Sequence, residues 1–551
     1  MGWHLSTIMF EDIEHYATLY NAAVLLGGIV SVRLAQLLQQ HVKTVFSPLR
    51  KLPGPKVEHF IWGNLKQVML SPNLIIYDQW AEKYGSTFAY QGLFLSYRLV
   101  TFDIRALNFI LSEADCFPKP NNFRRGLAGF VGQGLLFVES EAHRRQRRIM
   151  NPSFGSPHVR ALLPIFWQKS IKLKDAILDI SKSDSERGTT VNVLPWISRA
   201  TLDIIGAAGF DYHFNSLEND QNDELSAAFR KAFQSGQSAG ASDILQRFLP
   251  MFRYLFPDER ARAQAEASAI MRRIGSKLVS EKKASLTHEV KTGSTAQGRD
   301  LLTLLIKSNM AAESEAQMMT DDEVLGQIST FLFAGHETTS TSTSWALYAL
   351  VRHPEVQHKL RQELLDSGLG DEPSMADLDK LQYLDAVVHE TLRLYPAVPA
   401  TIREAAGEMH IPTSHLYTDR DNQEKDSIRI QKGDLIVVPI VAMNRNKEIW
   451  GEDAMEFRPE RWEALPEAAK SVPGVWGHLM TFIHGSRSCI GYRFAVAEMK
   501  CLLYTLVRAI EFDIEPGIEL ECKSLSARPL VVSRPEQGNQ MPLLCKPVLA
   551  I

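Results

Sequence analysis

The sequence predicts a mainly α-helical fold with small β-sheets, organised as a single domain. From Phe60 onward helical spacing of apolar residues dominates. Strand-like runs are few and short, among them "STFAYQ", "YRLVTF" and "DLIVVPI". Polar breaks at Ser181–Gly188, Ala284–Asp300 and Thr413–Asp426 read as surface loops, and none reads as a domain linker. The chain has 551 residues, 45% apolar and 23% charged, the composition of a globular protein. That length supplies a core able to bury a bulky cofactor. The net charge of −4 supplies no global basic field, which argues against nucleic acid as a partner.

The N-terminus comes first. Tyr16 to Val32 is a run of 17 residues without a charge. As a helix it would span roughly 25 Å, the short end of a membrane crossing. Glu11, Asp12 and Glu14 precede it, while Arg33, Lys43, Arg50 and Lys51 follow. The basic side should stay cytosolic. A signal peptide would carry its positive charge before the apolar run, and here the charge is acidic. The continuation "RLAQLLQQHV" keeps helical spacing, so a helix lying in the membrane interface is the competing reading. "KLPGPK", Lys51 to Lys56, then forms a stiff non-helical hinge to the globular body.

"EAHRRQRRIMNPSF", Glu141 to Phe154, reads as a basic helix ended near Pro152. His143 and Arg147 share one face. Arg144 and Arg148 share another, with Arg145 near them. One face would hold an internal carboxylate and the other an acidic protein, or the whole run is a solvated surface.

"TDDE", Thr320 to Glu323, has the form of a capping box. It opens a long helix to Val351, and Pro354 suits the first turn of the next helix. The middle, "GHETTSTSTS", breaks helix preference with threonines and serines. Gly335 costs about 1 kcal/mol there relative to alanine. "HETTS" lacks the second histidine that a zinc peptidase motif needs, because Ser340 stands in its place. A threonine can instead bond back to the carbonyl four residues earlier and loosen the helix. Gly335 would admit a ligand or backbone, and Glu337 beside Thr338 would pass protons into a pocket. In "HETLR", Glu390 and Arg393 share a helix face, a weak signal alone. "FRPERW" offers Arg461 to complete a buried Glu–Arg–Arg cluster.

The cysteines are Cys116, Cys489, Cys501, Cys522 and Cys545, an odd number with no CxxC. That is neither a disulfide framework nor a paired-cysteine zinc site, and it points to a reducing compartment. "FIHGSRSCIG" sets Cys489 between Gly485 and Gly491, with Arg487 two residues before it. Backbone N–H groups, this charge and the helix that follows would favour a thiolate. A buried thiol, a nucleophile and a metal ligand all use such a cysteine. A nucleophile lacks a Cys–His signature here. A haem thiolate needs a shielded sulfur, backbone donors and an apolar wall such as Phe482.

These motifs together resemble the cytochrome P-450 monooxygenases over nearly the whole chain. "FIHGSRSCIG" matches the family's cysteine loop at Phe482, Gly485, Arg487, Cys489 and Gly491. "AGHETT" matches its oxygen-binding helix, and "ETLR" with "FRPERW" its Glu–Arg–Arg cluster. The resemblance implies haem b, iron protoporphyrin IX, between the long helix and the cysteine-loop helix. Cys489 would be the iron ligand. Thr338 would hold dioxygen and its water network, with Glu337 assisting proton delivery. Glu390, Arg393 and Arg461 would lock the fold. Arg147, Arg403 and Arg487 would pair with the haem propionates. His143 stands where the family often has tryptophan and can still donate to a propionate. Residues 1–50 would form a membrane anchor and linker, and residues 51–551 the haem-thiolate domain.

The reaction implied is hydroxylation, with O2 and NADPH as co-substrates. No flavin domain or dinucleotide signature is evident, so electrons would come from an NADPH-dependent P-450 reductase. Arg144, Arg145, Arg148 and Lys500 are candidate docking contacts. The location implied is the endoplasmic reticulum membrane, with the catalytic domain facing the cytosol. Phe123, Leu127, Phe130, Phe331, Val398 and Leu530 are apolar candidates for a pocket that takes a lipophilic substrate. The fungal look of the sequence favours secondary metabolism, with terpenoids as the class. The alternatives are a haem-thiolate isomerase or dehydratase acting on peroxides and a non-catalytic membrane haem protein.

Overall fold

The computed structural model describes residues 44–182, 188–218, 259–292, 300–312, 317–523 and 526–548, with isolated positions between 21 and 42, at 224, 225, 227 and 314. Much of Tyr16–Val32 lies outside the described residues, and so does the expectation of an anchor there. Among the described residues no helix is long and apolar enough to cross a membrane.

Helices supply most of the mass. In chain order they are α1 (Ile76–Tyr84), α2 (Ile104–Ser112), α3 (Asn121–Val131), α4 (Ser140–Met150), α5 (Ser156–Ser181) and α6 (Val193–Phe210). After these come α7 (Glu259–Thr292), α8 (Leu301–Met310), α9 (Asp321–Arg352), α10 (Pro354–Asp366), α11 (Gln382–Leu394) and α12 (Tyr492–Ala509). The strands are short. β1 (Thr87–Gln91), β2 (Tyr97–Thr101), β7 (Leu435–Val438) and β4 (Thr401–Glu404) form one sheet in that order. β2 and β7 run parallel, with Leu99 opposite Ile436. A second sheet joins β3 (Thr189–Asn192), β11 (Pro542–Pro547) and β8 (Ile510–Asp513). Two hairpins complete the set: β5 (Met409–Thr418) with β6 (Glu424–Ile430), and β9 (Leu520–Lys523) with β10 (Ser526–Val531).

The three strand-like runs appear as β1, β2 and β7. Two loop expectations are corrected. Ala284–Asp300 is helical as far as Thr292, because its alanine, leucine, glutamate and lysine are good helix formers. Thr413–Asp426 is largely the β5–β6 hairpin. Its polar strands are held by a turn in which the Asp419 carboxylate accepts from Asp421 N and Gln423 N, both at 2.9 Å.

The capping box forms as expected. Thr320 Oγ1 accepts from Glu323 N, and the Glu323 carboxylate accepts from Thr320 N. From there α9 runs through the core, and Thr339 to Val351 are buried without a break. Gly335 has a different use from the one expected. A Cβ there would sit 3.0 Å from Ile205 Cγ1 on α6, so the glycine lets two helices pack closely. The hinge is non-helical and stitched to the body. Ala89 N donates to Pro53 O at 2.9 Å, and a Cβ on Gly54 would lie 1.9 Å from Ala89 O.

The Glu–Arg–Arg cluster is fully buried. Glu390 and Arg393 are 0% exposed and Arg461 is 1% exposed. Both Glu390 oxygens accept from Arg393 at 2.8 Å, while Arg461 lies at 3.4 Å. Arg461 also pairs with Asp453 at 2.7 Å. Removing one member strands a desolvated charge. Glu390→Ala is therefore expected to lower stability by about 3–5 kcal/mol, read as a lower urea midpoint at unchanged slope.

Candidate functional site

The cysteine loop precedes α12 and rests on α2. Gly485 has φ +76°, and a Cβ there would lie 2.3 Å from Leu111 O. No L side chain suits either condition. Gly491 is different. Its φ is −92° and a Cβ would meet only ordinary contact with Phe154 at 3.6 Å. Its contribution is its N–H, which faces the Cys489 sulfur. Cys489 N donates to Phe482 O at 2.9 Å, closing the loop on itself. Phe482 is buried and packs between Trp476 and Tyr492.

The Cys489 side chain is exposed, yet burial is the largest influence on its thiol and pushes it up. Many protein atoms thus lie around a residue that still has accessible surface. The Gly491 N–H and the Arg147 charge pull the other way without overcoming burial. The sequence expectation gave this charge to Arg487. In the structure Arg487 turns to Val138 O, at 2.9 Å, and to the Glu139 carboxylate. Arg147 replaces it, bonding Ser488 O at 2.5 Å and Ser488 Oγ at 3.2 Å.

α4 forms as expected over Ser140–Met150 and brings His143 and Arg147 inward. Around them gather Arg487, Arg403 on β4 and Lys119. Arg403 is 3% exposed, and burial pushes it down to about 10. Lys119 is pushed down to about 8 by burial, against the pull of Glu139 at 3.2 Å. Burial, then the charges of Arg487, Lys119 and Arg147, push His143 down to about 3, so its imidazole is neutral. Arg403, Arg487 and Lys119 thus share the half-buried carboxylate of Glu139, with Arg147 nearby at Ser488. This excess of buried positive charge suits a dianionic group, and the accessible Cys489 sulfur suits a metal within it. The residues present therefore fit haem. Cys489 would hold its iron, and the cationic cluster would hold its carboxylates.

Thr338 bonds back along α9 as expected, its Oγ1 donating to Ala334 O at 2.7 Å. Glu337 lies between His336 Nε2 at 3.2 Å and Arg528 Nε at 3.3 Å. Burial raises the Glu337 carboxyl, but its hydrogen bond with His336 and the charges of His336 and Arg528 outweigh this and hold it below its usual range. Of the apolar pocket candidates, Phe331 packs edge-on against Phe154 with ring centres 5.2 Å apart. Phe123 and Val398 are exposed, and Leu127 and Leu530 are half-buried. The side chain of Phe130 lies outside the described residues.

Sequence reasoning missed Lys119, Glu139 and Arg528. The prolines flanking Lys119 were a usable sign of a fixed, extended position, whereas Arg528 carries no local signal. Lys500 is corrected as a docking contact. It is buried and pairs with Asp385 at 2.7 Å and Asp379 at 3.3 Å. Arg145 is also turned inward, to Glu323. Arg144 is exposed and pairs with Asp115 and Glu141, and Arg148 is exposed.

The cytochrome P450 family model matches residues 52–542. Cytochrome P450 monooxygenase 205 of Postia placenta is 45% identical over 542 residues, covering 96% of this chain and 99% of that protein. The ganoderic acid synthetase of Ganoderma lucidum is 34% identical over 494 residues, covering 86% and 90%. A cytochrome P450 monooxygenase of Ampulloclitocybe clavipes is 34% identical over 511 residues, covering 90% and 92%.

The local geometry sets a test. Gly485→Ala is expected to lose most bound haem, read as haem per protein after purification, because the loop cannot keep its approach to Leu111 O.

Proposed function

This chain belongs to the cytochrome P450 family, and we propose that it hydroxylates a lipophilic small molecule of fungal secondary metabolism, a terpenoid. The enzyme is a cytochrome P450 monooxygenase, and the family implies haem-thiolate iron and O2. The observation that carries the reading is the cysteine loop, in which an accessible Cys489 stands beside Arg147, with Arg487, Arg403 and Lys119 clustered next to it. The relative named for ganoderic acid synthesis supports the metabolic setting.

Bound haem supplies oxygen activation and C–H oxidation. The chain supplies position and protons. Cys489 fixes the metal. Arg147, Arg403 and Arg487 neutralise the propionates, with neutral His143 as a donor and Lys119 as an additional cation. Thr338 Oγ1 donates its hydrogen bond to Ala334 O, which leaves its lone pairs to accept from water. Glu337, on the next residue, exchanges protons with that water. Phe123, Leu127, Val398 and Leu530 contribute apolar surface for substrate.

Electrons reach this enzyme from an NADPH-dependent flavoprotein reductase, with exposed Arg144 and Arg148 as docking contacts. Residues 1–50 anchor the protein in the endoplasmic reticulum membrane, and the domain at 51–551 faces the cytosol. The acidic and basic flanks of Tyr16–Val32 support that orientation.

Two measurements test this reading. The reduced, carbon-monoxide-bound spectrum of the membrane fraction should show a red-shifted Soret band that Cys489→Ala loses. Absence of the band from folded, haem-supplied protein would overturn a thiolate-ligated haem. Thr338→Ala should cut product formation by a factor on the order of 10² while the band persists. Undiminished turnover would instead support rearrangement of a peroxide, which needs no proton delivery to oxygen.

A further inference from the structure

Glu337 is the charged side chain in the polar middle of α9, and it is held from two directions. His336, its neighbour on the helix, is buried, with Nδ1 2.6 Å from Leu332 O and Nε2 3.2 Å from Glu337 Oε1. The other carboxylate oxygen, Oε2, faces Arg528 Nε at 3.3 Å. Arg528 comes from β10, far along the chain. The side chains of His336, Glu337 and Arg528 are 6%, 12% and 17% exposed. Water therefore screens these contacts weakly: the bond to His336 orients the carboxylate, and the charge of Arg528 attracts it from the other side.

The strand that brings Arg528 is itself tied to α9. Trp345 Nε1 donates to Ala527 O at 2.6 Å, one residue before the arginine. Two residues beyond it stands Leu530, half-buried and a candidate for substrate contact. The same short strand thus carries an apolar side chain for the substrate, a clamp on the proton-exchanging carboxylate and an anchor to the helix between them.

We propose that Arg528 is a positioning residue that, with His336, holds the Glu337 side chain in place, so that proton delivery beside Thr338 depends on the seating of the β9–β10 hairpin. This rests on the monooxygenase reading given above. A substrate that presses on the hairpin near Leu530 reaches the proton path through Arg528. A carboxylate released from Arg528 is free to turn and pick up protons from solvent, and reducing equivalents then leave as peroxide instead of product.

The test compares the full-length parent with Arg528→Gln, Arg528→Lys, Glu337→Gln and the double variant R528Q/E337Q. The carbon-monoxide band and the substrate-induced spectral midpoint are read first. Both should match the parent in R528Q, since Arg528 is placed on neither the haem nor the substrate. The fraction of NADPH electrons recovered as product should fall several-fold in R528Q and recover in R528K. R528Q/E337Q should be no worse than E337Q. A readout independent of turnover is thermal unfolding without substrate or reductase. The two single losses in midpoint should exceed the loss of the double variant when summed.

An unchanged product fraction in R528Q, or additive losses in both assays, would overturn the proposal. If R528Q does not retain the band, R528K decides, and a product fraction as low as that of E337Q counts against the inference. Absence of the band from the parent is a separate outcome, which removes the monooxygenase reading itself.

Discussion

Everything about the cysteine loop depends on a buried carboxylate that two arginines cannot leave. Glu390 Oε1 accepts from Arg393 Nη2 at 2.8 Å and from Arg458 N at 3.0 Å. Its Oε2 accepts from Arg393 Nε at 2.8 Å and from Trp462 Nε1 at 3.0 Å. Arg393 spends its remaining donors on the carbonyls of Asn444, Ala454 and Glu456, at 2.6–3.0 Å. Asn444 then holds Met480 N at 3.1 Å and Thr481 Oγ1 at 2.8 Å. Phe482 follows, and its carbonyl receives Cys489 N. A continuous chain of polar contacts therefore runs from α11 to the thiol loop. Desolvating these charges offsets much of their attraction, so the cluster is a poor net stabiliser. Its value lies in register, because each donor has one geometry that satisfies it.

The second constraint is electrostatic. Arg403, Arg487 and Lys119 crowd around the half-buried carboxylate of Glu139, and Arg147 stands close by at Ser488 and Cys489. Burial pushes each of the four down, and mutual repulsion adds to this for Lys119 and Arg403. Such a cluster is tolerable where further negative charge joins it. Burial first, and then this field, keep His143 neutral and able to donate one hydrogen bond to a neighbouring oxygen. Sulfur and cations thus make complementary demands. The sulfur needs a metal to lower its burial-raised pKa, and the cations need carboxylates. One group that carries both meets them together.

What the sequence made legible was local. The capping box at Thr320, the boundary at Pro354, the polar middle of α9, the Glu390–Arg393 spacing and the glycine-flanked Cys489 all express rules that operate within a few residues. What it hid was long-range. Arg487 sits two residues from Cys489 and turns away from it, while Arg147 approaches from α4. Lys500 lies on a helix that looks amphipathic and is buried by Asp379 and Asp385. Gly335 answers Ile205 on another helix. The β5–β6 hairpin is polar enough to read as loop, since exposed positions alternate with few buried ones. No spacing rule relates such pairs, because the partners meet only after the chain has folded.

The middle of α9 shows why its broken propensity is tolerated. A buried run of threonines and serines would be costly if each hydroxyl sought a partner outside the helix. Here several bond backward along it: Thr330 to Gly326 O, Thr338 to Ala334 O and Ser344 to Ser340 O, at 2.7–2.8 Å. Ser340 reaches Glu337 O at 3.1 Å. The helix thereby satisfies several of its own hydroxyls at the expense of tightness, while Thr343 Oγ1 is buried without a hydrogen bond. A carboxylate has no donor to give back to a carbonyl. Glu337 must find partners elsewhere, and it finds His336 on the adjacent residue and the charge of Arg528 on a distant strand. The polar stretch that weakens the helix therefore makes its single acid dependent on tertiary structure.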